Sequence, residues 1–325
     1  MRLSLRKESL SRFSSNIKVF HFLYFVGVIS LRTMEEQIAA NKRDSFILIG
    51  IVSIVLVTLG YVFAQIYDPS LVFVFLIIAV ILSTLGTIAS YWYSDKIVLA
   101  VTKTREPTPL ENAHLSNVVE GLAIAAGIPA PRFVIIADEV NLNAFATGRD
   151  PEHAVLAVTS ALLKTMNREE LEGVIAHEMS HINNYDIRLA SMIAVLVGII
   201  VIASQIFLRS LWFSGGNRDR RDGNVIFIVI GVVLAILAPI FTQLIQLAVS
   251  RQREYLADSS GAYLTRNPMG LASALEKIKA NNVNTKVNGA VSHLYFTNPF
   301  LSKNANSLFA THPPIDERIK RLKEM

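Results

Sequence analysis

Apolar residues in this chain follow two different patterns. In four stretches, Phe46 to Tyr67, Leu71 to Tyr93, Ile187 to Leu208 and Val225 to Val249, they fill nearly every position. Between the stretches they recur at the spacing of one helix face or of a strand. Each unbroken stretch is about long enough to cross a hydrocarbon core of roughly 30 Å at 1.5 Å per residue. Asp68-Pro69-Ser70 turns between the first two, so residues 34–96 read as a transmembrane hairpin. Residues 187–249 read as a second, whose halves are joined by a loop with Arg218, Arg220 and Arg221. Lys42 and Arg43 before the first hairpin, and Lys96, Lys103 and Arg105 after it, place both its ends and the polar region beyond on the cytoplasmic side. The arginine loop runs against that preference, and a second hairpin that only dips into the membrane is the alternative reading.

The polar segments carry the rest. Residues 97–186 predict a helix over Pro109 to Ala126. Strands follow at Arg132 to Ala137 and Ala154 to Ser160, read as a small antiparallel sheet. Asn167 with Glu170 three residues on is an N-cap signature, and Leu171, Val174, Ile175 and Met179 continue at helical spacing. Residues 250–325 predict helices over Arg251 to Leu264 and Pro268 to Ala280, then a last one opened by Thr311-His312-Pro313-Pro314. Residues 1–33 pair basic side chains with the apolar run Val19 to Leu31; a targeting segment, an extra anchor and a functional start at Met34 all fit.

Composition agrees with lipid contact. Apolar residues make up 52% and charged residues 18%, against roughly 25% charged in soluble domains. The absence of cysteine excludes disulfide scaffolds, thiolate metal sites and cysteine nucleophiles. The net charge of +5 lies beside the apolar stretches and not in a basic stripe, which argues against nucleic-acid partners.

The chemistry concentrates at His177-Glu178-Met179-Ser180-His181. Two His four apart on a helix project from one face and can bind one metal, and Glu178 leans over the remaining coordination position. Neutral imidazoles favour zinc, and Glu178 is placed to take a proton from water. A third ligand must come from elsewhere. Glu254 and Asp258, again four apart, offer one carboxylate for the metal and one for the second ring N–H of a ligand His. A solvated acidic edge offset by Arg251 and Arg253 is the plainer alternative.

Leu171 to His181, Arg253 to Asp258, Asn143-Ala144-Phe145-Ala146 and Thr311-His312-Pro313 together resemble the HtpX membrane zinc proteases, relatives of the CAAX prenyl proteases. The resemblance covers about residues 34–325. It implies one Zn2+ per chain on His177, His181 and Glu254, with Glu178 as base and Asp258 behind a ligand His. It further implies an edge strand at Asn143, Ala144, Phe145 and Ala146 that holds substrate backbone, and His312 and Arg318 as donors to the oxyanion. The expected architecture is a mainly α membrane protein: four transmembrane helices plus a cytoplasmic α+β, gluzincin-like zinc peptidase region. The function implied is a cell-membrane endopeptidase that cleaves misfolded or damaged membrane proteins in stress-related quality control. Two rivals from other classes are a scaffold with a structural metal and a transporter; the first two stretches lack the ionisable residues a transporter needs.

Overall fold

The computed structural model describes residues 34–213, Val232, 251–281 and 313–325. The N-terminal 33 residues, the arginine loop, the rest of the fourth apolar stretch and His312 lie outside the described residues. The chain divides into two units, Met1–Ala40 and Asn41–Met325. Helix α1 (Met34–Tyr67) begins in the first, and every contact below belongs to the second.

Asp68 ends α1 and caps the short 3-10 turn Pro69–Leu71 by accepting the Ser70 N–H at 2.9 Å. Helix α2 (Val72–Val101) then runs back. Its burial is inverted relative to a soluble helix. Ala79, Ser83, Gly86, Ser90 and Ser94 form the buried face, while Phe73, Ile77, Ile81, Leu85 and Ile88 are exposed. Small residues inside and large apolar ones outside suit lipid as the solvent, because close backbone approach replaces apolar burial as the source of packing. Ser83 donates to Ser53 of α1 at 2.7 Å. Ala39–Gln65 and Pro69–Val101 are two segments long and apolar enough to cross a membrane.

The third apolar stretch forms α6 (Asp186–Phe213). Its Leu189, Met192, Ile193, Leu196 and Ile200 pack on Leu48, Val52 and Leu56 of α1. It meets the preceding helix α5 (Arg168–Asn183) at a bend of 83°, and that pair counts as a third candidate span only if taken as one broken segment.

Between α2 and α5 lie β1 (Thr104–Arg105), α3 (Pro109–Ala126), β2 (Arg132–Ile136), β3 (Ala144–Thr147), a 3-10 turn (Pro151–His153), β4 (Val155–Thr159) and α4 (Ser160–Thr165). The sheet order is β1-β2-β4-β3. It is mixed and not antiparallel, since β2 and β4 pair in parallel. The chain leaves β2, forms β3 at the far edge, and returns by a hairpin to insert β4 in the middle, which fixes the direction of β4. All five residues of β4 are buried, because Leu156 and Val158 face the main core while Val155 and Ala157 face α2 and α6. A continuous apolar run is what a strand covered on both faces needs.

Helix α5 is held by a reciprocal cap. Asn167 accepts the Glu170 N–H at 2.9 Å, and Glu170 accepts the Asn167 N–H at 2.8 Å. Glu170 also receives Ser273 and Lys277, both at 2.7 Å, from α8 (Pro268–Ala280), so the cap is a tether between helices. The two helices cross where a Cβ on Gly173 would lie 2.7 Å from the Leu271 backbone nitrogen. Leu171, Val174, Ile175, Met179 and Ile182 are fully buried, each worth about 1.5–3 kcal/mol. Helices α7 (Arg251–Thr265) and α9 (Ile315–Lys323) complete the core around α5.

Candidate metal centre

Helix α5 presents His177 and His181 one turn apart toward α7. Their rings are nearly perpendicular, with an interplanar angle of 85°, and the two Nε2 atoms face each other at 3.2 Å. Glu254 enters from α7, its Oε1 at 3.5 Å from His181 Nε2 and its Oε2 at 3.7 Å from His177 Nε2. The three donor atoms lie within 4.8 Å of one another. For a tetrahedral zinc at 2.0–2.1 Å from each donor, neighbouring donors are about 3.3 Å apart. The residues present therefore fit such an ion.

The far side of each ring is also held. His177 Nδ1 lies 3.0 Å from Asp258 Oδ1, and His181 Nδ1 lies 3.0 Å from Asp186 Oδ2. With Nδ1–H donated to a carboxylate, the neutral form of each ring has its Nε2 lone pair directed at the common point. Facing lone pairs beside a carboxylate are an arrangement that a cation stabilises.

Burial pushes His177 down to about 4, against the pull of Asp258, so its ring is neutral at pH 7. Burial acts the same way on His181, but Asp186, Glu254 and Glu178 outweigh it and hold the ring up to about 9. A proton and a divalent cation therefore compete for the His181 lone pair. Asp258 is held down to about 2, because Arg318 and His177 overcome the burial that would raise it. Burial pushes Glu178 up to about 7, with Glu254 adding to the rise. That value suits a group that must take and return a proton near neutral pH.

Glu178 Oε2 accepts the Ala146 N–H at 3.0 Å, which ties the acid to β3. Strand β3 pairs with β4 on one side and ends the sheet on the other. Strand alternation turns Phe145 and Thr147 toward β4, and turns the backbone of Ala144 and Ala146 toward α5. Asn143, just before the strand, is tied to Thr159 through its backbone N–H at 3.0 Å.

The sequence-predicted groups are not all placed as expected. His177, His181, Glu178, Glu254 and Asp258 converge, and of the buried stretch Asn143 to Ala146 it is Ala146 that reaches them, through its N–H on Glu178. Arg318, the oxyanion donor the resemblance implies, is engaged with carboxylates. Its side chain is buried behind His177, donating to Asp258 through Nε at 2.8 Å and Nη2 at 2.7 Å, with Nη1 at 3.5 Å from Glu254. A guanidinium engaged this way is held between the Asp258 and Glu254 carboxylates. His312 lies outside the described residues.

Asp186, which holds His181, is the residue of the cluster that sequence reasoning missed, since it lies in the polar rim before the third stretch. At five positions from His181 it is out of register for one helix face. The chain brings it back because α5 stops at Asn184 and Tyr185 adopts a left-handed φ of 59°, turning α6 across α5. A positive φ on a non-glycine residue is the mark of such a reversal. The Asn-Asn-Tyr-Asp sequence at a helix end was the available signal.

A His pair on one helical turn, a carboxylate from a second helix and a buried acid beside them define the class of a metal-dependent hydrolase. Comparison with known sequences agrees. The Peptidase family M48 profile matches residues 109–325. A protein named Protease HtpX homolog from Thermoanaerobacter pseudethanolicus is 46% identical over 302 residues, covering 91% of this chain and 99% of that protein. One of the same name from Dictyoglomus thermophilum is 47% identical over 294 residues, covering 90% and 95%. Among solved structures, Ste24p of S. mikatae aligns with 97% of this chain and 74% of its own at a TM-score of 0.46 and 18% identity. The chain belongs to peptidase family M48 and, within it, to the HtpX proteases, and is a metalloprotease.

Proposed function

We propose that this protein is a membrane-integrated, zinc-dependent endopeptidase that cleaves misfolded or damaged membrane proteins on the cytoplasmic side of the cell membrane. The convergence of His177, His181 and Glu254 on one point, next to helices shaped for lipid, carries the reading. Zinc, when bound, supplies a Lewis acid that polarises the scissile carbonyl and acidifies water.

The remaining work falls to the chain. Glu178 takes the proton of the attacking water at Oε and passes it to the leaving amine; its raised pKa suits both halves of that transfer. The outward edge of β3 holds an extended substrate by strand addition, through the backbone of Ala144 and the carbonyl of Ala146, whose N–H is held by Glu178. A substrate must be unfolded locally to add as a strand, which fits damaged proteins better than folded ones. Asp258 and Asp186 fix the tautomers of the two His rings, and Arg318 acts as a positioning residue through Asp258.

The test is purification of the full chain in detergent, zinc analysis, and cleavage of casein and of an unfolded membrane protein. Glu178→Gln should keep one zinc and lose cleavage by about 10²–10⁴-fold. Glu254→Ala should lose zinc. Equal cleavage by wild type and Glu178→Gln would remove the mechanism, and unchanged zinc affinity in Glu254→Ala would remove that residue from the ligand set.

A further inference from the structure

Helix α1 reaches the metal centre. Asn41, buried at 3% exposure, donates its side-chain N–H group to Asp186 Oδ1 at 2.7 Å and to the Asn184 carbonyl at 3.0 Å. Asp186 is thereby shared, one oxygen on Asn41 and the other on His181 Nδ1. The Asn184 carbonyl is one of the acceptors left over where α5 ends, so the same amide secures the turn at Tyr185 that brings Asp186 into place. One turn on, Asp44 lies 3.5 Å from Arg253, which itself reaches Asp186 at 3.8 Å and directly precedes Glu254. A single turn of α1 thus reaches Asp186, the partner of His181, and Arg253, the neighbour of Glu254 on α7. Ser45 donates to the Asn41 carbonyl at 2.8 Å and steadies that turn.

We infer that Asn41 is a positioning residue of the metal site, orienting Asp186 and through it His181, so that the first membrane helix is a structural part of the catalytic centre and not only its anchor. This rests on the metal reading above. Nothing in the sequence points to Asn41, which lies before the first apolar stretch, far from either motif.

The chemistry is specific. A carboxylate with two oxygens can hold His181 in many orientations. With Oδ1 fixed by an amide donor, only Oδ2 remains for the ring, and the ring plane follows. Loss of such an outer partner weakens metal binding by about 10–100-fold. Asn41 acts one step further out, so about tenfold is expected.

The experiment measures zinc affinity of the full chain in detergent by competition with a chromophoric chelator. Asn41→Ala should bind zinc about tenfold more weakly and Asn41→Gln, which keeps an N–H donor, should recover part of the loss. The metal-free melting temperature should change little. In an Asp186→Ala background, Asn41→Ala should add nothing further, because its effect passes through Asp186. Wild-type affinity in Asn41→Ala, or a full additional loss on top of Asp186→Ala, overturns the inference. So does a fall in metal-free stability that matches the lost affinity and is not relieved by glutamine. If the alanine variant does not fold, Asn41→Asp takes its place: equal in size, it loses the donor and repels Asp186, and unchanged affinity there overturns the inference too. A wild-type chain that binds no zinc is a different result, and refutes the metal reading itself.

Discussion

Substituting one glycine tests whether the metal site depends on how closely two helices approach. Gly261 lies on the same face of α7 as Glu254 and Asp258, seven and three positions on from them, and packs against α5 at His177. A Cβ there would lie 3.0 Å from the His177 nitrogen and 3.3 Å from both the His177 Cα and the Ala176 carbonyl carbon. These are backbone atoms, so no side-chain rotation relieves the contact, and α7 must move away. Alanine gains about 1 kcal/mol in helix propensity, whereas overpacking costs about 1–3 kcal/mol. The two effects nearly cancel at the low end, and destabilisation by up to about 2 kcal/mol is the expected net. Gly121, exposed on α3 with nothing within 4 Å of its Cβ position, is the control: Gly121→Ala keeps the propensity gain alone. Unfolding of the detergent-solubilised chain with chelator present compares the two, and zinc competition reads the site. Gly261→Ala should be less stable than Gly121→Ala and should bind zinc more weakly, because Glu254 moves with α7. Equal stabilisation by both substitutions, with zinc affinity unchanged, would refute the close-approach argument.

Further outcomes follow from the buried charges. Arg318→Met leaves Asp258 buried without its guanidinium and should cost about 3–5 kcal/mol; a loss under about 1 kcal/mol in denaturant unfolding would show that the pair is not holding α9 in place. Glu170 behaves as a pH-dependent tether. Burial raises its pKa, but hydrogen bonds from Lys277, Ser273 and the Asn167 amide outweigh that and hold it below 4.5. A carboxyl lowered in the folded state contributes stability that is present above its unfolded pKa and is lost as pH falls through the folded one. Lys277→Met should therefore flatten the decline in melting temperature below about pH 4.5, and an unchanged slope would assign the lowering elsewhere. Gly173→Ala should destabilise more than Gly261→Ala, since its Cβ meets the Leu271 backbone at 2.7 Å; the reverse order would contradict the crossing geometry.

Local chemistry was readable residue by residue. The spacing of His177 and His181 places both rings on one helical turn whatever surrounds them, and Asn167 with Glu170 announces the start of that helix. Asp68-Pro69-Ser70 marks the turn between two apolar runs. Helix α3 runs over Pro109–Ala126, the range read from the sequence. The sheet was less readable, because alternation and β-branched content identify a strand without its neighbours. Its parallel β2–β4 pair depends on a crossover that no short motif encodes. Arg318 shows the same limit: a charge in an amphipathic helix next to a recognisable motif invites a catalytic role, and only packing shows that it faces Asp258.

The sequence by itself determined the His177–His181 turn, the two helices that carry the candidate ligands and the apolar segments beside them, since each follows from periodicity over a few turns. The tertiary structure alone decided which groups stand behind the ligands. Asp186 reaches His181 only because the chain reverses at Tyr185, and Asn41 reaches Asp186 only because α1 packs along α6. Hydrogen bonds between residues more than a hundred positions apart are set by how helices pack, and packing leaves no periodic trace in the chain.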